Sequence, residues 1–83
     1  MNHLIFKNGR DFKELEKYGF KYKIDKNNTS KNRYIASSNK EEKLIIIEST
    51  REVLIYSYGT YARIPILLFR LLGDDMLDWK IEK

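Results

Sequence analysis

Two runs of β-branched and aromatic residues stand almost side by side in this chain. Lys43-Leu44-Ile45-Ile46-Ile47-Glu48 and Glu52-Val53-Leu54-Ile55-Tyr56-Ser57-Tyr58 are separated only by Ser49-Thr50-Arg51. Such residues suit a pleated surface, and a link this short suits a hairpin, so the pair predicts two adjacent antiparallel strands. The unbroken apolar stretch Leu44–Ile47 predicts a central strand covered on both faces. Charges at Glu41, Glu42, Lys43, Glu48 and Glu52 flank the two runs and read as gatekeepers against strand aggregation. With 83 residues in all, the expectation is one domain, 1–83.

The rest of the chain supplies the partners of this hairpin. Leu4-Ile5-Phe6 reads as a short strand, and Asn8-Gly9 as a turn. Asp11-Phe12-Lys13-Glu14 is a capping box, with Phe12, Leu15 and Tyr18 on one face behind it and Gly19 as a left-handed terminator. The prediction is a short amphipathic helix over about 11–18. From Phe20 the period becomes two. Phe20, Tyr22 and Ile24 alternate with Lys21, Lys23 and Asp25, which predicts a half-buried strand with the aromatic side inward.

Residues 25–32 are polar and read as a loop, Arg33-Tyr34-Ile35-Ala36 as the next strand, and residues 37–42 as a second turn. Gly59-Thr60 should break the sheet. Pro65 suits the first turn of an oily helix that Gly73 closes, and Met76, Leu77, Trp79 and Ile81 suit one more helical turn or a last strand. The expected fold is therefore α+β: an antiparallel meander of about four strands, with an N-terminal and a C-terminal helix packed on one face.

Little in the chain suggests catalysis. There is no cysteine, which removes disulfides and thiolate chemistry and favours a reducing cytoplasm. The single histidine, His3, is close to the first residue and reads as solvated. Ser37, Ser38, Ser49 and Thr50 sit in polar turns, where hydroxyls commonly satisfy backbone groups. Asp74, Asp75 and Asp78 are the best carboxylate cluster, but they lack the spaced oxygen ligands of a cation-binding loop and read as helix-capping or solvated acids. No Gly-rich phosphate loop occurs. The expectation is no catalytic residue, no metal and no cofactor. No segment approaches the roughly 20 apolar residues of a membrane span, nor the apolar stretch of an export signal.

The net charge of +4 hides an asymmetry. Residues 1–40 hold ten Lys and Arg against four Asp and Glu; residues 41–83 hold six against eight. The excess is densest over 17–40, with Tyr18, Phe20, Tyr22 and Tyr34 interleaved. Lys21, Lys23, Lys26, Lys31 and Arg33 could meet phosphates while exposed tyrosines stack on unpaired bases. The competing reading buries the aromatic side and leaves the lysines to solvate the other, and alternation favours it. A second constellation is Tyr56, Tyr58, Tyr61, Arg63 and Trp79, residue types enriched in protein interfaces, although Tyr56 and Tyr58 share a strand face with Leu54 and read first as sheet-packing residues.

Leu15-Glu16-Lys17-Tyr18-Gly19-Phe20-Lys21-Tyr22, the polar turns after it, then Ile45-Ile46-Ile47-Glu48 and Arg51-Glu52-Val53 together resemble small phage and prophage proteins of low-GC Gram-positive bacteria. The likeness runs over most of the chain in the order of its elements, and that group offers no catalytic residues to carry over. The resemblance implies a non-enzymatic accessory role in the host cytoplasm, by binding a protein of the host, the phage or a defence system. Tyr58, Tyr61, Arg63 and Trp79 are the expected anchors, and self-association remains open. The alternative is a nucleic-acid binder that uses the basic 17–40 segment.

Overall fold

The computed structural model describes residues 2–37, 42–56 and 63–81. In chain order the elements are β1 (Asn2–Phe6), β2 (Lys21–Lys23), β3 (Arg33–Ser37), β4 (Lys43–Ile47), β5 (Val53–Tyr56), α1 (Arg63–Gly73) and β6 (Leu77–Ile81). Strands β2-β3-β4-β5 form the expected four-stranded antiparallel meander. β1 and β6 make a separate antiparallel pair running from Asn2↔Ile81 to Phe6↔Leu77. The tail that could have been a helical turn or a strand is thus a strand. Its partner strand lies 71 to 79 positions away in sequence (77 − 6 for Phe6↔Leu77, 81 − 2 for Asn2↔Ile81), a relation that periodicity does not report.

The N-terminal helix is corrected by the structure. Phe12–Tyr18 is a 3₁₀-helix of seven residues. The reason lies in the spacing: three residues per turn put Phe12, Leu15 and Tyr18 in one line, whereas an α-helix would fan them around its surface. Leu15 is fully buried, and the two aromatics pack on the core beside it. The capping box does form. The Asp11 carboxylate accepts from the Lys13 amide (3.0 Å), and the Glu14 carboxylate accepts from the Asp11 amide (3.2 Å). Gly19 closes the segment at φ 87°.

β2 departs from expectation as well. Phe20 is buried, but Tyr22 and Ile24 are 44% and 62% exposed. A three-residue edge strand at the margin of the sheet has too little layer over it to bury its inward side. Tyr22 instead leans on Tyr34 (centroids 4.8 Å apart) and donates to the Glu48 carboxylate (3.1 Å). Tyr34 stacks flat on Phe12 (5.0 Å), and Phe12 on Phe6 (5.0 Å), which makes one aromatic column down the inner side of the sheet.

Arg51 finishes that column and joins the two sheets. Its guanidinium lies over the Phe6 and Phe12 rings, 4.9 and 4.6 Å from their centroids. It donates to the backbone carbonyls of Phe6 (3.0 Å), Lys7 (2.8 Å) and Arg10 (2.8 Å). Its backbone sits in the left-handed region at φ 64°, a cost that these contacts offset. The Phe6 amide donates to the Arg51 carbonyl (2.7 Å) and Ile5 bridges Glu52, so β1 meets the hairpin at its turn.

Helix α1 carries Pro65 in its first turn and lays Ile64 and Leu71 into the core. The left-handed residue after it is Asp75 (φ 60°), not Gly73. The core gathers Ala36, Leu44, Ile46 and Val53 from one sheet face with Leu4, Phe6, Leu15, Phe20, Ile64 and Leu71. Glu42 is fully buried, so it is no solvent-facing gatekeeper. Glu41 and Gly59-Thr60 lie outside the described residues.

Candidate functional site

The side chains that the meander itself gives to the core, Ala36, Leu44, Ile46 and Val53, all come from one side of it. The other side follows from the register. Lys21, Ile35, Ile45 and Leu54 stand opposite one another across four strands. Lys23, Arg33 and Ile47 form the row on one side of them, and Ser37, Lys43 and Tyr56 the row on the other. Because side chains alternate across a strand, all ten project from the face opposite Leu44 and Ile46.

Among the described residues nothing covers that outer face. In β4, Leu44 and Ile46 have no exposed surface, while Ile45 and Ile47 are half-exposed. In β5, Leu54 and Tyr56 are 36% and 39% exposed. The expectation that Leu44–Ile47 would be covered on both faces is corrected: the run is apolar on both sides, and the folded chain buries one of them. Two shallow concavities mark the surface. One, of about 390 Å³, is lined by Lys31, Arg33, Ile45, Ile47, Leu54 and Tyr56. The other, of about 480 Å³, is lined by Gly19, Lys21, Tyr22, Lys23, Ile35 and Ser37. Neither lining contains an acid or any residue of β1, β6 or α1.

Of the basic residues singled out in the sequence, Lys21, Lys23, Lys31 and Arg33 therefore share one surface. Lys26 is exposed in the loop after β2 and lines neither concavity. Among the aromatic anchors, Tyr58 and Tyr61 lie outside the described residues, as does the side chain of Arg63. Trp79 is 62% exposed on β6, opposite Leu4 in the two-stranded sheet. It belongs to a different surface from the concavities.

The tyrosines offered for base stacking are otherwise engaged. Tyr22 and Tyr34 face each other within the aromatic column. Burial holds the Tyr34 hydroxyl above its ordinary pKa. For Tyr22, partial loss of solvent and the bond to Glu48 act in the same direction. Tyr18 donates to Asp74, and that bond raises its pKa.

The acidic cluster is dispersed over structural tasks. Asp74 accepts from Tyr18, Asp75 pairs with Lys7 at 2.7 Å, and Asp78 accepts from the Trp79 amide at 2.9 Å. The Lys7 ammonium holds the Asp75 carboxyl below the usual carboxylate range. Among the described residues, no three His, Cys, Asp or Glu side chains are grouped as a metal site would need. Ser49 donates to the Ser30 carbonyl (2.7 Å), and Thr50 accepts from the Glu52 amide (3.3 Å), the turn roles expected of them. Ser38 lies outside the described residues. His3 is half-buried within β1 opposite Lys80, which corrects its reading as a solvated terminal residue.

Sequence reasoning missed the apolar half of the outer face. Ile45 and Ile47 read as covered on both faces, Leu54 and Tyr56 first as sheet packing with Tyr56 also among the interface aromatics, and Ile35 only as part of a strand. A signal was present, because odd-numbered residues of β2, β3 and β4 share one side with the even-numbered residues of β5 once the connections between the strands are counted. Using it requires the register, which those connections decide. No protein-family model, curated protein or solved structure matches the chain. No helix among the described residues is long and apolar enough to cross a membrane.

Proposed function

We propose that this protein is a non-enzymatic binding protein that docks another protein on the outer face of its four-stranded sheet. One observation carries the reading. The apolar row Ile35–Ile45–Leu54, extended by Ile47 and Tyr56, stays open to solvent between cations at Lys21, Lys23, Lys31, Arg33 and Lys43. A dry apolar centre inside a charged rim is the anatomy of a protein interface. Exposed apolar surface gathered in one place, rather than scattered, marks such sites. The role that suits this reading is that of a small phage or prophage accessory protein at work in the cytoplasm of a bacterial host. Its lack of cysteine suits that compartment.

The five cations on one rim also favour a second reading, that of a nucleic-acid surface. The centre of the face argues against it. Single strands are held by aromatic platforms, and here four aliphatic side chains accompany one tyrosine. The two readings separate in a tagged pull-down from host lysate, with and without nuclease, using the wild type, Leu54→Ser and Trp79→Ala. A discrete protein that survives nuclease and is lost with Leu54→Ser supports the sheet face. Loss with Trp79→Ala alone moves the interface to β6. Nucleic acid in the eluate, with every co-purifying protein released on digestion, replaces protein binding by the second reading.

A further inference from the structure

We infer that the occupant of the outer sheet face is an acidic amphipathic α-helix of a partner protein. The inference rests on the docking reading above and narrows it to one kind of ligand.

Shape comes first. The apolar row Ile35–Ile45–Leu54 spans three strands, which at roughly 4.8 Å per strand gives a stripe about 10 Å wide. A helix with its side chains is about 10–12 Å in diameter, so one helix fills the stripe. Ile47 and Tyr56, on the flanking rows, lengthen it along the strand direction.

Backbone chemistry excludes the extended alternative. A strand laid flat on this face would hold its amides and carbonyls over isoleucine and leucine, with no partner for them. A helix satisfies its own backbone and offers apolar side chains at i, i+3, i+4 and i+7. Addition of a strand at the β2 edge is also poorly served, because that edge is three residues long and carries Lys21 and Lys23.

Charge then fixes the sign. The lining of both concavities is free of acids and includes Lys21, Lys23, Lys31 and Arg33, with Lys43 on the row beyond. A second copy docked face to face would oppose these cations to themselves. A helix with Asp and Glu beside its apolar seam pairs with them, and its acids belong on the flank nearest β2 and β3.

The test is a titration of the isotope-labelled full chain followed by amide NMR. The probes are an 18-residue peptide with leucine at helical spacing flanked by glutamate, the same peptide flanked by lysine, a glutamate version broken by two prolines, and an oligothymidylate strand. The expected result is selective shifts at Ile35, Ile45, Leu54, Lys21 and Lys23 with the intact glutamate peptide, which gains helicity by circular dichroism as it binds. Arg33→Glu should weaken that binding roughly tenfold or more. Leu54→Ser should weaken it independently, and both variants must keep the dispersed spectrum of the folded chain. Equal binding of the proline-broken or the lysine-flanked peptide overturns the inference, while the same shifted amides uphold the docking reading. Shifts on this face with oligothymidylate and none with the peptides overturn the inference in favour of nucleic acid. Shifts confined to α1 and β6, or none with any probe, overturn both readings.

Discussion

The two faces of the meander are built from the same kinds of residue and, apart from Ile55 on the inner side of the edge strand β5 (47% exposed), have opposite fates. On the inner face Ala36, Leu44, Ile46 and Val53 meet β1, the 3₁₀ segment and α1, and are buried. On the outer face Ile35, Ile45, Ile47 and Leu54 meet no such layer among the described residues and stay partly exposed. Hydrophobicity alone does not distinguish them, since β4 is isoleucine or leucine at four successive positions. The neighbours differ. Inner apolar residues have aromatic and aliphatic partners from other elements, whereas outer ones have lysine and arginine from the same sheet.

The strongest way to break this comparison is to truncate the same residue type on each face of β4. Ile46→Ala should cost about 3–4 kcal/mol in urea unfolding, as a fully buried isoleucine does. Ile45→Ala should cost only about 1 kcal/mol, in proportion to its smaller burial. Equal losses would mean that the outer face is covered in solution.

Next in size is the anchor on the inner side. Arg51→Ala should destabilise by about 2–3 kcal/mol, because three carbonyls lose a charged donor while the left-handed backbone remains. Arg51→Gly should recover about 1 kcal/mol of that loss by easing the backbone, as read from the same unfolding curves. Failure to recover would show that the strain is minor beside the anchoring.

On the outer face, Leu54→Ser should change stability by no more than about 0.5 kcal/mol. It should nevertheless reduce the binding of a hydrophobic dye. A large loss of stability would return Leu54 to the core.

The smallest effect belongs to the surface pair Lys7–Asp75. Its carboxyl titrates below the unfolded value, so its stabilisation is present at neutral pH and is lost as pH falls through the folded pKa. Lys7→Ala should raise the Asp75 pKa in a carboxyl NMR titration and flatten the acid limb of the stability curve. An unmoved Asp75 would leave the pair without consequence.

Much of this architecture was legible in the residues. The four strands, their antiparallel order, the capping box at Asp11–Glu14 and the helix after Pro65 all announce themselves through local pattern. The 3₁₀ character of Phe12–Tyr18 was also written there, in strict spacings of three, although amphipathicity drew the reading toward an α-helix. The candidate site was half legible. Its cations stood out because charge is visible in a sequence. Its apolar half did not, because Ile45 and Ile46 are neighbours of one type, and only the layer above each tells them apart. The pairing of β1 with β6 and the bond from Arg51 to Phe6, Lys7 and Arg10 had no local signature at all.

The sequence by itself determined which segments would be extended, where the chain would turn and that positive charge would gather before residue 40. These follow from preferences of single residues and near neighbours, which act before any tertiary contact exists. Tertiary structure decided which face of the sheet would be buried, and so which isoleucines would be core and which would join Lys21, Lys23, Lys31 and Arg33 on an open surface. That choice depends on the register set by the three connections of the meander and on where the layer of β1, the 3₁₀ segment and α1 comes to rest. Among the described residues there is one such layer, and the face opposite it is the one we propose for docking.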